Sequence, residues 1–266
     1  MRVRKKTIWV IVLTAVIFLS LSTLGITSVY RVDTVTLNAS VVSETANAEA
    51  EQLLSRLEEA YDKKSSFTVD KTEVEQILAD FPHFRLTGFE KAYPNRIIIS
   101  VTEDAEVYAV SAGEGNYYIL GADGMVLGIR DSYVNRLDGV DNLLFKGLTV
   151  SGSKGSILSG DECFAALLEF CDGASETLSG IRRNVVCVEV VRNTSLIEDA
   201  LFKVTMREGV NIYIGNPTVM PKEKARAVME KYLSLSDEQR LQGRIAVSEK
   251  DGQVIASYAE KDEFGF

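Results

Sequence analysis

Histidine, cysteine and proline are scarce in this 266-residue chain, which holds one His, three Cys and four Pro. The single His, His83, directly follows Pro82 and has no second His beside it. A His-based catalytic triad and a His- or Cys-rich zinc site therefore lack their residues. Cys163 and Cys171 stand eight positions apart in a helical pattern. That is about 12 Å along a helix axis, past the reach of a disulfide, and with Cys187 they read as small buried hydrophobes. No Walker loop, dinucleotide fingerprint, nucleophile elbow or long-period repeat is present. Lys and Arg (29) are outnumbered by Asp and Glu (38), a net charge of -9, so the clustered cations that a duplex-binding surface needs are missing. With 46% hydrophobic and 25% charged residues, wholesale disorder is excluded as well.

Charge is also absent from one long stretch. Met1 to Lys6 reads M-R-V-R-K-K, and the next charged residue is Arg31. As a helix, Ile8 to Tyr30 would reach roughly 34 Å, against a bilayer core of about 30 Å. Trp9 and Tyr30 lie near its two ends, where amphipathic rings favour headgroups. The pattern predicts a cytoplasmic stub over 1–7 and a single transmembrane helix over 8–30, with the rest of the chain outside the cell membrane (a single-pass type II arrangement). A cleaved signal peptide is the alternative, with Ala46-Asn47-Ala48 as an A-x-A site. The apolar run is longer than a signal h-region, and that site lies far past its end. Without the four N-terminal cations the remainder carries 25 basic and 38 acidic residues. Such a surface favours protein partners over anionic wall polymers.

Arg31 to Asn38 alternates as a short strand. Glu44 to Tyr61 is predicted helical, with Ala50, Leu53, Leu57 and Tyr61 at spacings of three and four. A second helix runs from Asp70 to Asp80 and stops at Phe81-Pro82. Two strands follow, Phe84 to Lys91 and Arg96 to Glu103, around the turn Tyr93-Pro94-Asn95. Further on, Val107 to Val110, Asn116 to Leu120 and Met125 to Leu127 read as strands about Gly121-Ala122-Asp123-Gly124. Asn142 to Gly160 reads as loop. Ser159 and Glu162 form a capping-box pattern that starts a helix bearing Cys163, Ala166, Leu167, Phe170 and Cys171 on one face. Val185 to Val191, Leu201 to Met206 and Val210 to Ile214 are three more predicted strands. Pro221 opens a helix, in which Lys222, Lys224, Arg226 and Lys231 read as a solvated basic face. Arg244 to Ser248 and Gln253 to Tyr258 close as a hairpin around Asp251-Gly252. The sequons Asn38-Ala39-Ser40 and Asn193-Thr194-Ser195 carry meaning only in a eukaryotic secretory context.

The order of these motifs carries a likeness. A basic stub and an apolar run lead into strand, helix, helix, strand, strand, with Phe81-Pro82-His83-Phe84, Tyr93-Pro94 and Ile97-Ile98-Ile99-Ser100-Val101-Thr102-Glu103 in sequence. This resembles the POTRA module of the bacterial cell-division family FtsQ, called DivIB in Gram-positive bacteria. Tyr117 to Leu127 resembles the family's hairpin at the start of its β domain. Gly209 to Gly215, followed by Lys222-Glu223-Lys224-Ala225, resembles its late strand and helix. The sequence departs from the family where Leu37-Asn38-Ala39 replaces a Val-x-Gly-Asn exit, and in its short cytoplasmic stub. The resemblance implies an α+β protein with a single N-terminal transmembrane helix, a POTRA-like domain over 31–103, a larger β-rich domain over 104–259 and a flexible tail over 260–266.

It also implies a non-enzymatic scaffold of the divisome at the septum. Its partners would be FtsL-like and FtsB/DivIC-like bitopic proteins and the septal peptidoglycan synthase complex, with no cofactor, no metal and no nucleic acid. The residues add a physical means, strand addition at an edge formed by the final strand. The candidate partner-binding residues are Val254, Ile255, Ala256, Ser257 and Tyr258, and Tyr258→Ala is expected to weaken capture at an unchanged melting temperature. Two other classes stay open. One is a POTRA-containing sporulation or envelope assembly or sensor protein. The other is a membrane-anchored cell-wall enzyme, for which adjacent carboxylates such as Glu103-Asp104 and Asp161-Glu162 would have to converge on a substrate.

Overall fold

The computed structural model describes residues 9, 12–18, 20, 28–136, 138–192, 200–250 and 252–262. The chain divides into two compact units, Met1–Asp104 and Ala105–Phe266. Both mix helices with sheet, and the whole is α+β.

The transmembrane helix expected over 8–30 is corrected here. Among the described residues no helix is long and apolar enough to cross a membrane. A span needs roughly 20 consecutive apolar residues. The longest continuous described helical piece of that stretch, 12–18, is seven residues. The remainder of 8–30, apart from 9, 20 and 28–30, lies outside the described residues, as does the 1–7 stub.

In the first unit, β1 (Thr34–Ser40) leads through α1 (Glu44–Tyr61) and α2 (Lys71–Leu78) to β2 (Phe84–Ala92) and β3 (Arg96–Glu103). The sheet order is β1-β3-β2, with β1 parallel and β2 antiparallel to β3. A parallel pair cannot close with a tight turn, and the two helices lie in the chain between β1 and β3 and supply part of the long connection. Alternation along β3 buries Ile97, Ile99 and Val101, which share a core with Leu53, Leu57, Tyr61 and Val74 of the helices. Each helix has a side-chain cap: Ser43 accepts from the Ala46 amide and Asp70 from the Glu73 amide, both at 3.0 Å.

The second unit holds a nine-stranded sheet. Its strands are β4 (Tyr108–Gly113), β5 (Asn116–Leu120), β6 (Val126–Arg130), β7 (Leu143–Lys146), β8 (Val185–Val191), β9 (Leu201–Met206), β10 (Asn211–Gly215), β11 (Arg244–Lys250) and β12 (Gln253–Ala259), in the order β12-β11-β10-β9-β8-β7-β4-β5-β6. Four helices join them: α3 (Cys163–Thr177), α4 (Ile181–Asn184), α5 (Pro221–Leu233) and α6 (Asp237–Arg240). Alternate strand residues such as Val110, Phe145, Val188, Phe202, Val204, Ile212 and Ile245 form one core with Leu167 and Phe170 of α3 and Val228 and Met229 of α5. Helices α3 and α5 pack against each other. Gly173 allows their close approach, since a Cβ there would stand 2.6 Å from the Lys222 carbonyl oxygen.

Three readings differ from the expectation. Residues 143–146, placed in a loop, form β7, which lies parallel between β4 and β8. The expected capping box does not form, because α3 starts at Cys163 and its amide is met by Asp161 at 3.0 Å. Two one-turn helices, α4 and α6, had no expectation; Ser236 and Gln239 cap α6 reciprocally.

Candidate functional site

Strand β12 contains all five sequence-predicted site residues, Val254, Ile255, Ala256, Ser257 and Tyr258. It pairs antiparallel with β11, in the register Ile245↔Tyr258, Ala246↔Ser257, Val247↔Ala256, Ser248↔Ile255 and Glu249↔Val254. No strand among the described residues pairs with its other side, so it is the terminal strand of the sheet. Every second residue of an edge strand turns its N–H and C=O away from the only neighbour.

The five side chains divide between two faces. Ala256 and Tyr258 pack against the core on the side of α5, and Val254 shares their parity. Ile255 (46% exposed) and Ser257 turn to the opposite side, where the Ser257 hydroxyl donates to the Ala246 carbonyl at 3.4 Å. The Tyr258 hydroxyl donates to the Gln242 carbonyl at 3.3 Å. Tyr258 therefore supports the hairpin, and truncating it would lower stability, contrary to the unchanged melting temperature expected for Tyr258→Ala.

What lies under the edge was missed by sequence reasoning. Lys224, expected on a solvated basic face, is 1% exposed. Its ammonium donates to the carbonyls of Gly215 (3.1 Å) and Asn216 (2.8 Å) and meets the Glu249 carboxylate of β11 at 2.8 Å. Lys222 pairs with Asp172 (2.5 Å) and Glu176 (2.7 Å), and Arg226 with Glu176 (2.5 Å), tying α5 to α3. These contacts hold the Lys222 ammonium above its usual range through its bonds to Asp172 and Glu176, and the Glu176 carboxyl below its own through Lys222 and Arg226. A helical wheel puts Lys224 beside Ala225 and on the same face as Val228, and that proximity to the apolar face was the one available signal.

The chain after β12 turns back onto the sheet. Asp262 accepts from the Tyr213 hydroxyl at 2.8 Å and the Asn211 amide at 2.9 Å. Burial and this carboxylate push the Tyr213 phenol well up. Of the tail expected to be flexible over 260–266, residues 263–266 lie outside the described residues. On α5, burial and the Glu208 carboxylate (2.8 Å) push Tyr232 up to about 12.

Glu103 and Asp104 go to different partners, and Asp161 has structural partners of its own. In the first unit Glu103 accepts from Ser43 and Val42, while Asp104 pairs with Arg85 at 2.8 Å. In the second unit Asp161 pairs with Arg192 at 2.6 Å and accepts from the Thr149 amide at 2.9 Å. His83 meets Glu49 of α1 at 2.8 Å inside the first unit. The three cysteines are free and buried, and burial pushes the Cys171 thiol well up. Among the described residues no group of three or more His, Cys, Asp or Glu is placed to hold a metal ion. No protein-family model matches this chain, and no curated protein matches it.

Proposed function

We propose that the chain is a non-enzymatic scaffold whose β12 edge captures an extended segment of a partner protein by strand addition. On the resemblance to FtsQ/DivIB, the partners are FtsL-like and FtsB/DivIC-like bitopic division proteins. The place of action is the division septum, and the outcome is support of the septal peptidoglycan synthase complex. The single observation that carries the reading is the position of β12: it ends a nine-stranded sheet and, among the described residues, is paired on one side only. Backbone pairing would supply affinity, and Ile255 and Ser257 would select side chains on the exposed face. Glu103, Asp104 and Asp161 are engaged by structural partners, which also favours binding over turnover.

The test uses proline as a backbone probe. Of two neighbours in a strand, one directs its N–H and C=O toward β11 and the other outward. Ile255→Pro and Ala256→Pro sample both directions. The variant facing outward should lose capture of a FtsL–DivIC-type pair and keep its melting temperature. The variant facing β11 should lose melting temperature. If both keep their affinity for the pair, β12 is not the binding edge. A tagged full-length chain that fails to concentrate at midcell would end the division reading itself.

A further inference from the structure

Three aromatic rings from three separate segments of the first unit meet on its surface. Tyr30 closes the helical turn of residues 28–29, Phe67 lies between α1 and α2, and Tyr93 is in the β2–β3 turn. Their centroids are 4.5 Å (Tyr30–Phe67), 5.2 Å (Phe67–Tyr93) and 6.2 Å (Tyr30–Tyr93) apart. The backbone beneath them is fixed. The Ser66 amide donates to the Tyr30 carbonyl at 2.8 Å, and the fully buried Ser66 hydroxyl donates to the Pro94 carbonyl at 2.6 Å. Lys91 donates to the Phe67 carbonyl at 3.0 Å. Despite this support, Phe67 is 54% and Tyr93 53% exposed.

Rings held this firmly and left this open form a presented surface, not a core. The sequence just before Tyr30 is uncharged back to Thr7. Its described large apolar residues include Trp9, Leu13, Ile17, Phe18 and Val29, all more than half exposed. An exposed aromatic cluster of this kind marks an interaction site. Tyrosine rings beside lysine stems suit the boundary between hydrocarbon and water.

We infer that the Tyr30–Phe67–Tyr93 patch seats in the headgroup zone of a phospholipid bilayer. The contact is a peripheral one made by a folded surface, and it requires no residue to cross the bilayer. Among the nearby cations Arg31 and Lys63 share Asp62, Lys64 meets Glu73, and Lys91 donates to the Phe67 carbonyl. The exposed part of the patch is its aromatic rings, so aromatic insertion drives the contact, and zwitterionic vesicles should suffice. This inference is independent of strand addition at β12.

The experiment uses the full-length chain carrying Trp9→Phe and Tyr93→Trp, which leaves a single tryptophan, in the patch. An unchanged melting temperature in buffer verifies the aromatic exchange. On adding phosphatidylcholine vesicles, the emission should shift to the blue. Lipid brominated near the headgroup should quench it more than lipid brominated near the chain ends. Emission that stays at its buffer wavelength with vesicles overturns the inference, and so does stronger quenching by the deep bromines. A shift produced only by a membrane-free cell extract would assign the patch to a protein and overturn it equally.

Discussion

Glu103 shows how much a single carboxylate can organise at the end of a strand. It accepts from the amides of Val42 (2.7 Å) and Ser43 (3.0 Å) and from the Ser43 hydroxyl (2.5 Å), so it fixes the cap of α1 onto the end of β3. Burial alone would raise its pKa. The Ser43 hydroxyl and the two amides outweigh that and hold it below its ordinary 4.5. A carboxyl depressed in the folded state contributes stability that is complete above its unfolded value and is lost as pH falls through the folded one. Glu103→Gln should therefore cost about 1 kcal/mol near neutral pH, the value of a charge-assisted bond discounted for partial exposure. The difference from wild type should shrink as the pH drops below about 4.5. Melting curves of both proteins from about pH 7 to about pH 3 check this. A constant offset across that range would mean that the charge of Glu103 is not what holds the cap. The sequence drew notice to Glu103 and Asp104 as neighbours on the chain. Alternation sends them to different partners, Ser43 and Arg85.

At the scale of elements, strands with strict alternation were legible and short or shielded ones were not. Arg96–Glu103 forms where the pattern put it, because one buried face leaves a period of two; Val185–Val191 forms as expected too, as an apolar run whose register shifts between Val185 and Cys187. Leu143–Lys146 was missed: four residues give too short a run to separate strand from apolar loop, and only its parallel neighbours β4 and β8 define it. The edge hairpin was legible, since Gly252 adopts φ +74° in a turn that the Asp-Gly pair announces. Its support was not. Lys224 is buried because α5 crosses over β11 and β12, and sequence periodicity does not show which turn of a helix meets a carboxylate from another element. Lys224→Met would leave the Glu249 carboxylate and two carbonyls without their donor. The expected loss is about 2 kcal/mol, below that of a fully buried broken pair because Glu249 stays partly exposed. Amide exchange should accelerate in β11 and β12, while β4 to β6 remain protected. Exchange that rises evenly over the sheet would deny Lys224 a specific hold on the hairpin.

For the whole molecule, the division at Asp104 and Ala105 separates two cores with no described core residue in common. The first rests on three strands and two helices, the second on nine strands and four helices. Each core closes through its own side chains and caps, so each unit should fold from its own piece of chain. Fragments 28–104 and 105–262 should each melt in one cooperative transition. Unfolding enthalpy scales with length at about 0.7 kcal/mol per residue, so calorimetry should return values in about a one-to-two ratio. The shorter piece should be the less stable, because small domains bury a smaller share of their surface. The longer fragment carries the whole β12 edge and its Lys224 support. If it captures the partner pair as the full chain does, strand addition needs nothing from the first unit. Should it melt cooperatively yet fail to bind, capture draws on residues before Ala105, and the edge alone does not account for it.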